Sequence, residues 1–180
     1  MNSTEYDALF RAAREAIGAH TPLPADCGVL CGHACCKGSD TQGMRLFPGE
    51  VSPLPELRTA DSGRLAVCSG QCDRTMRPLA CMIFPFFPVL HDGPCAAFPN
   101  AHAGRITVEY DARALRLCPL ILHRRNIRFD PKFLRGVRRA GRILTRDPAN
   151  AAFLREVSAE IAAYRTLYGF FDSPSRRSFG

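Results

Sequence analysis

The sequence has little of what a secreted or membrane-spanning protein needs. Its first residues, Met1 to Asp7, are polar and acidic, and no apolar segment follows them as it would in a secretory signal. The longest apolar run, residues 79–90, is too short to cross a bilayer and is interrupted by Pro85 and Pro88. We therefore expect a cytoplasmic protein with no membrane partner.

Familiar catalytic motifs are also missing. The chain contains no phosphate-binding P-loop, no GxGxxG dinucleotide loop, no GxSxG nucleophile turn and no HExxH zinc motif. Its cysteines match neither the paired CxxC knuckles of common zinc sites nor the runs of ferredoxins. These absences exclude the most recognisable classes of site and leave open whether the protein is an enzyme.

Cysteine, in contrast, is abundant, with nine in 180 residues. The groups along the chain are Cys27, Cys31, Cys35 and Cys36, then Cys68, Cys72 and Cys81, then Cys95 and Cys118. In a reducing compartment such a set favours metal or redox chemistry over disulfides, and an odd number cannot be fully paired. Thiols from several loops can bind one soft or borderline ion, and the adjacent Cys35 and Cys36 can serve two ions or bridge within one cluster.

The positive charge has more than one explanation. The formal net charge of +7 counts every cysteine as neutral. Two divalent ions on eight thiolates would lower it to about +3, so some basic residues can balance an anionic cluster. Five basic residues recur at helical spacing: Lys132, Arg135, Arg139, Arg142 and Arg146. A basic nucleic-acid-binding module is therefore the second alternative function, although a solvated helix face explains the same pattern and we do not expect a nucleic-acid partner.

The composition, 46% hydrophobic and 23% charged, is that of a globular protein. We predict an α+β fold in which a small, loop-rich cysteine domain with short strands is flanked by an N-terminal helix and a C-terminal helical pair. The expected units are an N-terminal helix and linker (1–24), the metal-binding domain (25–122), the helical pair (123–172) and a flexible tail (173–180).

Local signals set the predicted elements. Ser3 or Thr4 can cap a first helix over 4–18, and Asp130-Pro131 and Asp147-Pro148 each combine a capping residue with proline at the first helical position. Those two helices should reach about residue 145 and about residue 168. Short strands are expected at 44–47, 65–67 and 106–110, whereas the prolines of 79–90 predict irregular core.

Four segments carry a resemblance to a known family. They contain a doubled cysteine, a glycine-flanked MRLFPGE segment, a CxxxC pair and an RPxxCxxFP element, and they span 31–38, 43–50, 68–74 and 77–85. The region from 27 to 119 thereby resembles the YkgJ-type cysteine-cluster family of zinc- or iron-chelating domains. One departure is Met82, where the family pattern has Arg, which removes a cation from beside the cysteines.

The resemblance implies a set of metal ligands: Cys27, Cys31, Cys35, Cys36, Cys68, Cys72, Cys81 and Cys118. It implies zinc or iron as cofactor, with an iron–sulfur cluster among the possibilities, and metal ions as the first partners. The family includes a flagellin lysine methylase. The first alternative function is therefore an iron- or iron–sulfur-dependent enzyme that modifies protein or peptide side chains, which would add a protein or peptide partner.

Several other side chains are weaker candidates. His33, between two cysteines, could bind metal or donate to a thiolate, and the remaining candidates are His91, His102, Glu50 and Asp73. Cys95 lies outside the motif segments and is expected to be a bystander. Zinc is placed slightly ahead of iron because no iron–sulfur spacing is satisfied, and more than one ion per chain is expected. No feature of the sequence indicates the oligomeric state.

Overall fold

The computed structural model describes residues 2–25, 27–37, 43–51, 54, 57–68, 70, 73, 76–169 and 174, with only the backbone of Arg116. This part of the chain combines helices with two small antiparallel sheets, which confirms the predicted α+β class. The helices are α1 (Ser3–Ile17), α2 (Cys27–Cys31), α3 (Leu79–Ile83), α4 (Ala114–Leu117), α5 (Pro119–Leu122), α6 (Pro131–Leu144) and α7 (Pro148–Tyr168). The strands are β1 (Met44–Arg45), β2 (Arg58–Ala60), β3 (Leu65–Val67), β4 (Phe86–Leu90) and β5 (Ile106–Tyr110).

The first helix begins one residue earlier than predicted. Asn2, rather than Ser3 or Thr4, is the capping residue, because its side chain accepts the Glu5 N–H at 3.0 Å and the Glu5 carboxylate accepts the Asn2 N–H at 2.7 Å. This reciprocal pair is a capping box. The helix ends at Gly18, as predicted, with a φ of 61° that suits glycine.

The two C-terminal helices start where the Asp-Pro signals place them. The Asp130 carboxylate accepts the Lys132 N–H at 2.7 Å, and the Asp147 carboxylate accepts the Asn150 N–H at 2.9 Å. Helix α6 packs closely against α1, and Gly136 marks the contact: a Cβ there would lie 2.8 Å from the backbone of Ile17. The apolar residues of α6 that face the core are buried: Phe133, Val137, Ala140 and Leu144.

Residues 79–90 are more regular than expected. The segment forms α3 and then β4, which pairs antiparallel with β5 in the register Phe86↔Tyr110 to Leu90↔Ile106. The prediction of irregular core was wrong because Pro88 is tolerated: among the described residues β4 pairs only with β5, so its other edge has no strand that needs a backbone N–H donor.

The second sheet is smaller and has the order β1-β3-β2. Strand β1 ends at Arg45, two residues before the predicted end, while β3 and β5 match their predicted bounds. Strand β2 was not anticipated. It pairs with β3 through a turn in which Asp61 and Ser62 adopt positive φ values, so the hairpin carries no simple Asn-Gly signal.

One hydrophobic cluster runs from α1 to α7 and contains the β4–β5 sheet, which contacts both α6 and α7. A polar network crosses this core. Arg165 donates to Glu109 at 2.8 Å, and the Thr107 hydroxyl, which donates to Glu109 at 2.9 Å, lies 2.8 Å from the His91 ring nitrogen. The network fixes α7 to the sheet. The boundaries predicted at residues 24, 122 and 172 stay predictions, and the tail lies almost entirely outside the described residues.

Within the described residues, no helix has the length and apolar character needed to cross a bilayer.

Candidate metal centre

Cys35 and Cys36 lie on a short 3-10 turn, Ala34–Cys36, that follows α2. Gly32 and His33 both have positive φ values, 59° and 57°, and this left-handed step redirects the backbone between the helix and the turn. Glycine adopts such a conformation readily, whereas histidine does so less often. The result places the two Sγ atoms 3.9 Å apart.

Two further cysteines come from distant parts of the chain to the same place. Cys68 directly follows β3 and Cys81 lies in α3. Together with Cys35 and Cys36 they line one cavity of about 30 Å³, which Arg77 also borders. Because one water-sized sphere needs roughly 10–15 Å³ of such space, the cavity has room for one or two small species.

Helix α3 is held at its N-terminus by an acidic side chain. The buried Glu50 carboxylate accepts the backbone N–H groups of Leu79 and Ala80, which open the helix, and that of Phe47 at 3.1 Å. Burial raises the pKa of Glu50 to about 7, against these hydrogen bonds, which favour the charged form. Glu50 therefore joins the turn after β1 to the segment that carries Cys81.

The same segment is held from a second side. The Arg14 guanidinium of α1 donates to the carbonyl oxygen of Arg77. The backbone of 77–81 is thus fixed by one contact from α1 and by the Glu50 carboxylate. Both contacts act on the segment whose residues Arg77 and Cys81 line the thiol cavity.

The electrostatics of the cavity favour the neutral form of the Cys36 thiol. The hydrogen bond with Cys35, then burial and the Cys35 charge, raise the pKa of Cys36 far above its ordinary value, while Arg77 and a hydrogen bond with Cys68 act in the opposite direction. Two neighbouring thiolates repel each other, so ionisation of both requires a nearby positive charge.

A second group of thiols contains Cys27, Cys31 and Cys118. Burial raises the pKa of Cys118, and the Cys27 and Cys31 thiols raise it further. Cys27 and Cys31 are the two ends of α2, and Cys118 stands at the start of α5. Because α4 also packs against the Ala34–Cys36 turn, the second group is a neighbour of the first.

The structure brings together seven of the eight predicted ligands in these two groups, and Cys72 lies outside the described residues. In the described part of the chain no disulfide is present, and no three His, Cys, Asp or Glu side chains meet at the spacing of a complete metal site. The two groups therefore supply several sulfur donors each, but the described residues alone do not form a complete metal coordination sphere.

The weaker candidates are placed as follows. His33 lies beside the Cys35–Cys36 turn, and its Nδ1 is buried with no hydrogen bond to the residues described. His91 contacts Thr107 and the ring of Phe98 in the buried core network. His102 and Asp73 are exposed. Cys95 is also exposed and pairs through its backbone with Phe98, outside both thiol groups.

The aromatic residues of 84–87 and the predicted basic stripe lie in different surroundings. Phe84 lines the thiol cavity, while Phe86 and Phe87 are buried in the core. All five basic residues of the stripe on and just beyond α6 are exposed, and within the described residues they make no ion pair. We call this set (Lys132, Arg135, Arg139, Arg142 and Arg146) the basic face.

Sequence reasoning missed the residues that position the site. Arg14 lies 63 positions before the carbonyl it contacts, and no local pattern indicates such a pairing. From the sequence, Glu50 is expected to supply an oxygen ligand, to fix a turn or to pair with Arg74 or Arg77, whereas in the structure it caps a helix 29 positions later. The signal that could have found it is the lack of a capping side chain before α3, where Pro78 precedes Leu79.

Comparison with protein-family models, with curated proteins and with solved structures finds no match to this chain.

Proposed function

We propose that this protein chelates zinc or iron through cysteine thiolates, in a structural or metal-handling role. The observation that supports the proposal is the cavity bordered by Cys35, Cys36, Cys68 and Cys81. These residues come from three separate parts of the chain, and an ordinary core would not require four thiols at one small cavity. The resemblance of 27–119 to the YkgJ-type family supports the same function.

The donor set suits the proposed ions. Zinc and iron both accept several thiolates, and either ion would supply the positive charge that lets neighbouring thiols ionise. Arg77, at the wall of the cavity, would offset part of the remaining negative charge. The group of Cys27, Cys31 and Cys118 offers a second set of sulfur donors, so we expect more than one ion per chain.

Metal analysis tests the proposal directly. The protein should be made in iron-replete cells, purified without oxygen, and examined by elemental analysis, sulfide assay and visible absorption. A colourless protein with about two zinc ions per chain would support zinc chelation. A brown protein with acid-labile sulfide would favour the iron–sulfur enzyme alternative. A purified protein with no bound metal would contradict the proposal.

Single cysteine variants assign the ligands. Cys36→Ser and Cys81→Ser should lose metal because each removes a thiol from the cavity. Cys95→Ser is the matched control, since its exposed thiol lies outside both groups, and it should keep the full metal content. Equal loss from all three variants would show that the thiol cavity is not the binding site.

A further inference from the structure

A larger cleft adjoins the thiol cavity. Its volume is about 390 Å³, within the range of small-molecule sites. Cys35, Gly43, Met44 and Phe84 border both spaces, so the two lie side by side. Cys35 is exposed, and the cleft therefore gives access to the thiol group from one side.

Three cationic side chains line this cleft: Lys37, Arg45 and Arg113. Acidic residues that do not line it hold the two guanidinium groups in place. Arg45 donates to Glu160 at 2.8 Å and to Glu156 at 2.6 Å.

Arg113 is held in the same way, since its Nε donates to Asp111 at 2.8 Å and its Nη2 donates to the other carboxylate oxygen. Both guanidinium groups are thus oriented before any ligand arrives, and their charge is partly neutralised. Lys37 differs, because it has no ion pair or hydrogen-bonding side-chain partner among the residues described.

The rest of the lining is mainly apolar and includes Met44, Leu65, Phe84 and Leu117. Leu117 is 46% exposed, so it offers apolar surface to a ligand in the cleft. A ligand that fits the cleft therefore needs an apolar body and a negative group. One unpaired lysine beside two half-neutralised arginines suits a single negative charge better than a dianion such as phosphate.

We propose that this cleft binds a small organic carboxylate, with its acid group towards Lys37 and its apolar body against Leu65, Phe84 and Leu117. The binding itself needs only these residues. Its meaning rests on the proposed function: a carboxylate held beside Cys35 would be presented to the thiolate-bound metal, which a purely structural metal site does not require. The competing explanation is that the three cations only neutralise the thiolates.

The test uses 4-(trifluoromethyl)benzoate as the probe, followed by 19F NMR titration of the full chain as purified, with metal content measured on the same samples. The neutral 4-(trifluoromethyl)benzamide has the same body without the charge. We expect saturable binding of the benzoate, about fivefold tighter than that of the amide. Lys37→Gln should weaken benzoate binding by about fivefold, whereas the control Lys132→Gln, on the basic face, should leave it unchanged.

Two further readouts make the result decisive. Leu117→Glu places a negative charge in the cleft, so it should weaken binding of the benzoate more than binding of the amide. This variant tests the cleft independently if Lys37→Gln also loses metal. Inorganic phosphate at the same concentration should compete weakly. Equal affinity for benzoate and amide would overturn the proposal. So would equal benzoate affinity of Lys37→Gln and Lys132→Gln, if Leu117→Glu also leaves that affinity unchanged. Probe binding without bound metal would support the cleft and refute the metal function, so the two can fail separately.

Discussion

Replacing Arg165 by Met should destabilise the fold far more than replacing Arg155 by Met, although both arginines lie on α7. The Arg165–Glu109 pair is 2.8 Å apart, and its side chains are only 7% and 5% exposed. The Arg155–Asp92 pair is 3.1 Å apart and its side chains are 52% and 70% exposed. The two pairs thus share chemistry and helix, and they differ mainly in burial.

The expected magnitudes follow from that difference. Removing Arg165 leaves the Glu109 carboxylate buried without this guanidinium, while the Thr107 hydroxyl still donates to it. It also removes the guanidinium that lies 4.5 Å from the centre of the Phe98 ring. Breaking a buried pair in this way costs about 3–5 kcal/mol, whereas an exposed pair such as Arg155–Asp92 contributes at most about 1 kcal/mol. For a chain of this length each kcal/mol lowers the Tm by about 2–4 °C. We therefore expect Arg165→Met to lower the Tm by about 6–20 °C and Arg155→Met to lower it by at most about 4 °C.

Thermal and urea unfolding, followed by circular dichroism at neutral pH on samples of matched metal content, measures both values. A double variant adds a second check. Arg165→Met combined with Glu109→Gln should cost less than the sum of the two single changes, by at least about 1 kcal/mol, because the first change already removes the pairing. Similar losses for the two arginine variants, or strictly additive single changes, would refute the reasoning.

Four further predictions use other parts of the molecule. Burial raises the pKa of Glu50 from 4.5 to about 7, so the folded state holds a proton that the unfolded state has lost. Stability from this proton is full below about pH 4.5 and is lost as the pH rises through about 7, and Glu50→Gln should flatten that part of the pH dependence in urea titrations; an unchanged slope would contradict it. Gly136→Ala should cost about 1–3 kcal/mol in urea unfolding because its Cβ would press on the backbone of α1, whereas the exposed Arg139→Ala should change stability by less than about 0.5 kcal/mol; equal effects would refute the close contact. Strong chelation should clearly lower the Tm, since metal binding supplies folding free energy to a region of short elements, and an identical melting curve after verified metal removal would disprove the coupling. Nucleic-acid binding by the basic face should be weak in filter-binding assays and fall steeply between about 50 and 200 mM salt; tight, sequence-selective binding would be the contrary result.

Helices with strong end signals could be predicted closely from the sequence. Asp130 and Asp147 each cap a helix, and proline is the first residue of both helices, as predicted. Gly169 ends the second one in the left-handed conformation. These signals act within four residues, so they depend little on the rest of the fold.

The cysteine region depended on information that lies far apart in the sequence. The resemblance and the spacing indicated which thiols to group, but not that Cys35, Cys36, Cys68 and Cys81 would share one cavity. That arrangement depends on where β3 ends and on how α3 is held. Strand β4 was missed for a similar reason, because the tolerance of Pro88 depends on how many strands flank it.

The cleft was not predicted from the sequence. Arg45 pairs with carboxylates more than 110 positions later, and Arg113 lies far from both Lys37 and Arg45 along the chain. No local pattern therefore distinguishes these arginines from ordinary surface charges. Only the folded arrangement shows that the three cations share one space with Leu117.

The two contacts on the 77–81 segment bear on how such a cysteine segment can be moved between proteins. The backbone of 77–81 takes its position from Arg14, which lies outside the 27–119 region, and from Glu50, which lies within it. A fragment that starts after α1 would keep every cysteine and lose one of these contacts. The 27–119 region is therefore not self-contained: transferred to another chain, it would keep Glu50 but would need a helix of that chain to replace the contact from Arg14.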